Sequence, residues 1–278
     1  MIDYHIHLEN GPLTLDWLSK FWEQAQKRGI SEIAITEHCH KFEQFYPAFE
    51  YLAEGENGYD YMRDWLSSDF QASLDDYLEL LELGKQKGIP VKKGIEVDYL
   101  EQSEEVLHNI LDSYAFDYIL GSVHVIDKWG FDYFPEAWEG KDVDEAYQKY
   151  YETMYKAANS GLFDVMAHLD VIKVFGHKPT TNMDSYIDKV LKAMAVNKLT
   201  LEVSTAGLRK PVGEMYPTKS ILQRAAALQI PITIASDAHY PEDVGADWEK
   251  ATMLARRCGY REYCVFMRRE SYAEKIPK

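Results

Sequence analysis

Short apolar runs alternate with longer amphipathic stretches along most of the 278-residue chain. The apolar runs are rich in β-branched residues, which predicts buried strands. They occupy residues 2–7, 33–40, 94–98, 118–124, 165–170, 199–204 and 232–239. Between them, helical spacing of apolar residues predicts helices over residues 15–28, 74–87, 143–160, 185–197 and 218–228. This alternation predicts parallel strands joined by helical crossovers.

Two segments interrupt the alternation. Residues 41–72 are rich in Tyr, Phe and Glu, and residues 125–142 hold Trp129, Trp138 and several acids. Because each segment follows a strand end, we expect both to be loops over a functional site. The tail, residues 270–278, is predicted to be a short surface helix.

Histidines concentrate at the ends of the predicted strands. Seven of the nine histidines lie there, and five of those seven have an acidic residue within two positions. The two remaining strands end in acids, with Glu96 and Asp98 on one and Glu202 on the other. In a closed barrel of parallel strands the carboxyl ends converge on one face, so the pattern predicts a multinuclear metal site on a single-domain α/β barrel. An open doubly wound sheet is the alternative, but it would spread the same ligands over its width.

Individual candidates differ in how strongly they indicate metal binding. His5 and His7 are two positions apart on a strand and point to the same side, so one cation can bind both imidazoles. For the acids, a second role is as well supported as ligation. Glu37 could cap a helix, Asp170 could support a histidine, and Glu202 could form a salt bridge.

Charge and cysteine content narrow the class of protein. The chain has 30 Lys and Arg against 46 Asp and Glu, and the net charge of −16 argues against nucleic acid or an anionic membrane as the main partner. The three cysteines show no CxxC pairing, and no cationic-apolar leader or long apolar stretch is present. We therefore expect a cytoplasmic protein without a membrane partner; its oligomeric state is not determined by the sequence.

The strand ends also carry motifs that occur together in a known family. They are His5-Ile6-His7, Thr36-Glu37-His38, Gly94-Ile95-Glu96, Gly121-Ser122-Val123-His124, Ala167-His168-Leu169-Asp170 and Ser236-Asp237-Ala238-His239. In this order the chain resembles the PHP (polymerase and histidinol phosphatase) family. The resemblance implies a distorted (β/α)7 TIM-like barrel, one PHP-type domain over residues 1–278, and a centre of two or three metals that hydrolyses phosphoesters.

The resemblance also implies which residues hold each metal. One metal would be held by His5, His7, Glu96 and Asp237, a second by Glu96, His124 and His168, and a third by His38 and His239. The third metal of the family usually gains a ligand from the loop after the first motif, often a histidine. Here Glu9 is the nearest substitute. Mixed nitrogen and oxygen coordination suits divalent Zn, Mn, Fe or Co better than Mg.

Within the family, residues 202–211 and residues 121–127 with Trp129 resemble the histidinol-phosphatase branch. This implies hydrolysis of L-histidinol phosphate to L-histidinol and phosphate, a step of histidine biosynthesis, with a metal-bridging hydroxide as nucleophile. The predicted catalytic residues are Asp237, His239 and Arg209, and the predicted substrate-binding residues are Arg209, Lys210, Lys173 and Ser204. An Arg-Lys pair after a strand end can clamp phosphate oxygens.

Other functions remain open from the sequence. A PHP phosphoesterase could act on nucleotides or oligonucleotides instead, and a PHP module could bind metal without catalysis. An amidohydrolase also uses two histidines on a β/α barrel. The acids Asp127, Asp132, Glu136 and Glu139 would suit the ammonium and imidazole of histidinol phosphate, although a solvated acidic loop has the same composition.

Overall fold

Seven parallel strands surround the centre of the protein in a computed structural model that describes residues 1–53 and 60–277. The strands are β1 (Ile2–Asp3), β2 (Glu32–Ile35), β3 (Val91–Asp98), β4 (Tyr118–Ser122), β5 (Val125–Ile126), β6 (Trp129–Gly130), β7 (Val165–Met166), β8 (Thr200–Ser204), β9 (Ile232–Ala235), β10 (Glu262–Met267) and β11 (Glu270–Lys275). The α-helices are α1 (Leu15–Lys27), α2 (Tyr46–Phe49), α3 (Asp60–Ser68), α4 (Leu74–Gln86), α5 (Glu104–Asp112), α6 (Val143–Asn159), α7 (Asp184–Val196), α8 (Lys219–Ala227) and α9 (Trp248–Arg257).

The central sheet is closed into a barrel. Its strand order is β1-β2-β3-β4-β7-β8-β9, with every neighbouring pair parallel. The first and last strands meet just beyond their ends, where the His7 N–H donates to the Ala238 carbonyl at 2.8 Å and the Ala238 N–H donates to the His5 carbonyl at 3.2 Å. The predicted seven-stranded barrel is therefore confirmed, and the open doubly wound sheet is excluded.

Burial and capping explain why these segments form these elements. Every residue of β4 and β8 is buried, as parallel strands covered by helices require. Side chains of Thr14, Ser73 and Asp142 accept hydrogen bonds from the first turns of α1, α4 and α6. The five predicted helices are present, with each end within one residue of the predicted position. None of the helices in the described ranges combines the length and apolar character needed to cross a membrane.

The two segments predicted to be loops contain regular structure. Residues 41–72 include α2 and α3, while residues 54–59 of this segment lie outside the described part of the chain. Residues 125–142 form the antiparallel β5-β6 hairpin and a 3-10 helix, Pro135–Trp138. Phe45, Phe49 and Trp138 are buried, so each segment has apolar anchors that a solvated loop lacks. Both segments follow carboxyl ends of barrel strands, as predicted.

The prediction of a helix over residues 270–278 is wrong. β10 and β11 form an antiparallel hairpin in which Glu262 pairs with Lys275, and only residue 278 of the tail lies outside the described residues. Every residue of β11 is exposed, so the sequence lacked the apolar alternation that indicates a strand. The ring of Phe266 in β10 packs on Tyr118, at the start of β4, with centroids 5.1 Å apart. The hairpin thus covers the amino-terminal end of the barrel, opposite the histidines.

The packing of Phe266 gives a prediction about stability. Phe266 is 2% exposed, so Phe266→Ala should lower the free energy of unfolding by about 3–5 kcal/mol through lost burial and a cavity. Urea unfolding followed by circular dichroism measures this change. Tyr272→Ala in the same hairpin is the control, because Tyr272 is 45% exposed and should change stability little. Equal effects of the two substitutions would contradict this account of the hairpin.

Candidate metal centre

The carboxyl face of the barrel holds three overlapping groups of potential metal ligands. They are His5, His7 and Glu96; Glu96, His124 and His168; and His7, His38 and His239. Within each group the candidate ligand atoms lie within 4.8 Å of one another. Residues far apart in sequence therefore converge as the barrel prediction requires, and the predicted third pair, His38 and His239, is joined by His7.

Glu96 occupies the middle of the cluster. Its carboxylate is 1% exposed and lies 2.8 Å from His38 Nδ1 and 3.0 Å from His168 Nε2. On the other side, Glu96 Oε2 is 3.3 Å from His5 Nε2. Glu96 therefore belongs to the first and second groups at once, and its role as a bridging ligand stays a prediction.

Two further acids extend the groups. Asp237 Oδ1 lies 3.7 Å from His5 Nε2 and 3.3 Å from His7 Nε2, so it adjoins the first group. Its φ of 52° is in the left-handed region, which aspartate adopts more readily than most residues other than glycine. Glu9 Oε1 lies 3.5 Å from His239 Nε2, which places Glu9 beside the third group.

A layer of carboxylates lies behind the histidines. The pairs, measured from Nδ1 to a carboxylate oxygen, are His5 with Glu202 (2.6 Å), His124 with Asp98 (2.9 Å) and His7 with Glu37 (3.5 Å). A carboxylate on one ring nitrogen fixes the ring and directs the other nitrogen toward a metal. Glu37 and Glu202, whose roles the sequence left open, thus support histidines from outside the ligand groups.

The ligand atoms fit a metal centre because several of them have no other partner. Among the described residues, Nε2 of His5, Nε2 of His7 and Oε2 of Glu96 are buried and make no hydrogen bond. A buried polar atom without a partner costs about 1–3 kcal/mol, and a bound cation would remove that cost. The mixture of imidazole nitrogen and carboxylate oxygen suits Zn, Mn, Fe or Co.

The charges of the cluster also favour cations. Burial opposes the ionised forms of Glu96 and Asp237, but the surrounding imidazoles, His5 first among them, lower both pKa values well below the usual carboxyl range. Burial likewise opposes a charged His7, yet the neighbouring carboxylates of Asp237 and Glu37 raise its pKa to about 9. The carboxylates are therefore ionised, and their field attracts divalent cations to the face of the barrel.

Arg209 lies at the rim of the site beside Asp237. One guanidinium nitrogen donates to the carbonyls of Ser236 at 2.6 Å and Asp237 at 3.1 Å. The Arg209 side chain is 24% exposed and its Nε lies 3.5 Å from Asp243 Oδ1, so the other terminal nitrogen of the guanidinium is the one that can reach a ligand. Lys210 is exposed and forms no ion pair with the described residues. The structure therefore brings Arg209, rather than Lys210, to the edge of the ligand cluster.

Two other predicted substrate-binding residues make internal contacts instead. The ammonium of Lys173 is buried and lies 3.0 Å from both Asp170 Oδ2 and the Met215 carbonyl. The buried hydroxyl of Ser204 accepts a hydrogen bond from the Ala206 N–H at 3.2 Å. The substrate-binding roles of Lys173 and Ser204 gain no support from these contacts, and Asp170 pairs with a lysine rather than with a histidine.

Sequence reasoning missed three residues of the site. Asp98 was recognised only as a strand-end acid, although its position two residues after Glu96 places it on the same face of β3. His40 Nδ1 lies 3.9 Å from Asp98 Oδ2. The hydroxyl of Tyr216 is buried without a hydrogen-bond partner in the described chain, and its ring lies 6.3 Å from that of His168. Tyr216 follows no strand end, so the sequence contained no signal for it.

A closed seven-stranded β/α barrel with overlapping histidine and carboxylate groups at its carboxyl face defines a multinuclear metal-binding barrel. The PHP domain matches residues 3–206, and the chain belongs to the PHP family. Asp237 and His239 lie beyond the matched segment but in the same cluster, and a domain spanning residues 1–278 stays a prediction.

Relatives place the chain more narrowly within that family. It is 34% identical to a probable histidinol-phosphatase of Deinococcus radiodurans, over 72% of this chain and 79% of the relative. It is 28% identical to the histidinol-phosphatase of Bacillus subtilis, over 89% of this chain and 96% of the relative. The chain therefore falls in the histidinol-phosphatase-like branch, as the resemblance implied.

A solved structure agrees with the fold. The histidinol phosphate phosphatase of Lactococcus lactis, in complex with Zn, L-histidinol and phosphate, superposes with a TM-score of 0.76 at 21% identity, covering 98% of both chains. The agreement extends over nearly the whole length of the two proteins.

Glu9 is shared between the third ligand group and a lysine. Glu9 Oε2 lies 3.2 Å from Lys41 Nζ, while that ammonium is also 2.7 Å from Asp69 Oδ1. Burial opposes ionisation of Glu9, but His38, His7, His239 and Lys41 lower its pKa to about 2. Glu9 is therefore an anion for which Lys41 competes with any metal in the third group.

This competition predicts opposite effects of two substitutions on the third metal. Lys41→Met frees Glu9 and should raise the affinity for that metal roughly three- to tenfold. Asp69→Asn leaves Lys41 to pair with Glu9 alone and should lower the affinity by a similar factor. Competition titration with a chromophoric chelator, combined with metal analysis per chain, measures both. A change in the same direction for both variants would contradict the assignment of Glu9.

Proposed function

We propose that the chain is a metal-dependent phosphomonoesterase that hydrolyses L-histidinol phosphate to L-histidinol and phosphate in histidine biosynthesis. The observation that carries this proposal is the set of three ligand groups joined through Glu96 and His7, with Arg209 at their edge. Clustered cations beside a guanidinium suit a phosphate dianion. The names of the Deinococcus and Bacillus relatives support the particular substrate.

The substrate reaches the cluster from the side of Asp237 and His239. The side chains of Asp237 and His239 are 12% and 27% exposed, whereas His5 and His7 are fully buried. Arg209 lies on the same side, through its hydrogen bond to the Asp237 carbonyl. A phosphoryl group arriving there can contact the metal ligands and the guanidinium together.

The proposed mechanism assigns each residue a task. The ligand groups would hold divalent Zn, Mn, Fe or Co, which would supply Lewis acidity and an activated water for attack at phosphorus. Arg209 binds phosphoryl oxygens and stabilises the charge that develops as the ester bond breaks. Asp237 and His239, at the exposed edge, are the proposed residues for proton transfer to the leaving oxygen. Glu202, Glu37 and Asp98 hold the histidines in place, so little reorganisation is needed.

We also propose that the partner is a small phosphate monoester and that the protein is cytoplasmic. The acidic surface disfavours nucleic acid. Cys39, Cys258 and Cys264 are all free, which supports a reducing compartment.

A substrate screen tests the proposed function. With bound metal, kcat/KM for histidinol phosphate should exceed that for p-nitrophenyl phosphate and nucleoside monophosphates by about 100-fold or more, and chelation should abolish it reversibly. Phosphate release measures the rates, and metal analysis accompanies each assay.

Each rival function has its own outcome in this screen. Faster turnover of nucleotides would support the nucleotide phosphoesterase, and hydrolysis of amides would support an amidohydrolase. Full metal content without any turnover would support the non-catalytic module. Equal, slow turnover of all phosphate esters would contradict specificity for histidinol phosphate.

The rim position of Arg209 gives a second prediction. Arg209→Ala should lower kcat/KM by about 100-fold while the metal content stays unchanged, because the charge of the transferring group loses a donor. The neighbouring substitution Lys210→Ala is the matched control and should change kcat/KM by less than about threefold. A larger loss for Lys210→Ala than for Arg209→Ala would reverse the assignment.

A further inference from the structure

Asp3, at the end of β1, is a fully buried carboxylate that binds two other segments of the chain. The N–H of Ser236, the residue after β9, donates to Asp3 Oδ1 at 2.8 Å, and the Ser236 hydroxyl donates to Oδ2. The N–H of Gly245 also donates to Oδ2, at 2.7 Å. One carboxylate therefore joins the end of β9 to the turn that follows it.

The two segments that Asp3 joins are the ones that hold Arg209. One terminal nitrogen of the guanidinium donates to the Ser236 carbonyl at 2.6 Å. On its other side, Arg209 Nε lies 3.5 Å from Asp243 Oδ1. Asp243 is two residues before Gly245, the second residue bound by Asp3. Both supports of the guanidinium are thus fixed to the same buried carboxylate.

The turn over residues 241–247 is itself held close to the barrel. Gly245 has a φ of 67°, and a Cβ at this position would lie 2.3 Å from Ile30 Cδ1, so only glycine brings its N–H this near to Asp3. The adjacent Ala246 carbonyl accepts a hydrogen bond from the Thr205 hydroxyl at 2.7 Å. This second contact ties the turn to the segment that carries the arginine.

Arg209 needs such supports because its side chain is long and partly exposed. An arginine has several rotatable bonds, and an unsupported guanidinium would spread over many rotamers. A misplacement of about 1 Å in a group that binds the reacting atoms can cost about 100-fold in rate. Asp3 is fully buried, so it affects a bound phosphate only through the residues that it holds.

We infer that Asp3 is a positioning residue that aligns the Arg209 guanidinium for phosphoryl binding by holding Ser236 and the turn over residues 241–247. The inference rests on the proposed function, in which Arg209 binds phosphoryl oxygens. It gives a task to a buried acid that belongs to none of the three ligand groups.

The test is a double-mutant cycle of Asp3→Asn and Arg209→Ala in the metal-loaded enzyme. An amide nitrogen in place of one Asp3 oxygen cannot accept the Gly245 N–H, so the turn should loosen. Asp3→Asn should lower kcat/KM for L-histidinol phosphate by about tenfold and weaken the binding of inorganic phosphate, measured by calorimetric titration, by about three- to tenfold. In the Arg209→Ala background the same substitution should change kcat/KM by less than about threefold, because the group that Asp3 positions is gone.

Asp243→Asn tests the same linkage from the surface. The Asp243 side chain is 29% exposed, so this variant folds even if Asp3→Asn does not. It should lower kcat/KM by about two- to fivefold in the wild-type background and leave it unchanged in the Arg209→Ala background.

The matched control is Asp117→Asn, at the opposite end of the barrel. Asp117 is also buried and also accepts a backbone N–H, that of Lys93 at 2.9 Å, but it lies just before β4, at the amino-terminal face. Its substitution should lower stability toward urea, while kcat/KM and phosphate binding stay within about twofold of the wild-type values. Metal content per chain should stay at the wild-type value in all variants.

Other outcomes would overturn the inference in distinguishable ways. Loss of metal in Asp3→Asn, with an equal further loss of activity in the Arg209→Ala background, would make Asp3 a support of the metal ligand Asp237 instead. Unchanged phosphate binding in Asp3→Asn and Asp243→Asn would also refute it. Absence of phosphate-ester hydrolysis by the metal-loaded wild-type enzyme would refute the proposed function, whereas the phosphate titrations would still report whether Asp3 aligns Arg209.

Discussion

The buried carboxylate of Glu96 is the constraint on which the rest of the site depends. An ionised group that is 1% exposed is stable only where opposite charges or metals surround it. The barrel meets this requirement, because its strand ends bring histidines from β1, β2, β4 and β7 around one acid on β3. Metal binding and barrel closure are thus parts of one arrangement, in which the strand ends supply both the ligands and the neutralising charges.

The layers around Glu96 have separate tasks. Buried acids such as Glu202 and Asp98 contact the histidine rings at Nδ1 and fix their orientation. The other ring nitrogen, which faces the pocket, stays available to a metal. The two edges of the rim carry opposite charges, with the guanidinium of Arg209 beside Asp237 and the carboxylate of Asp132 beside His124. In the proposed function, a phosphate ester binds with its phosphoryl group toward Arg209.

Prediction from sequence succeeded where the signal was periodic and failed where it was not. The barrel strands and five helices were predictable because each buries a regular set of apolar residues. The hairpin of β10 and β11 was missed because β11 is exposed on every residue and shows no alternation. The segment after β2 was interpreted as a loop because its anchors, including Phe45 and Phe49, follow no single period, although they are buried.

By itself the sequence determined the class of fold, the identity of most candidate ligands and their family, because strand periodicity puts alternate residues on one face and the motifs are local. Only the tertiary structure decided which carboxylate supports which histidine. Glu202 supports His5 across a separation of 197 residues, and Asp98 supports His124 across 26. Such partners are set by strand order and by the curvature of the closed sheet, which no local pattern encodes. The same reason explains why Tyr216 became visible as part of the site only after the chain was folded.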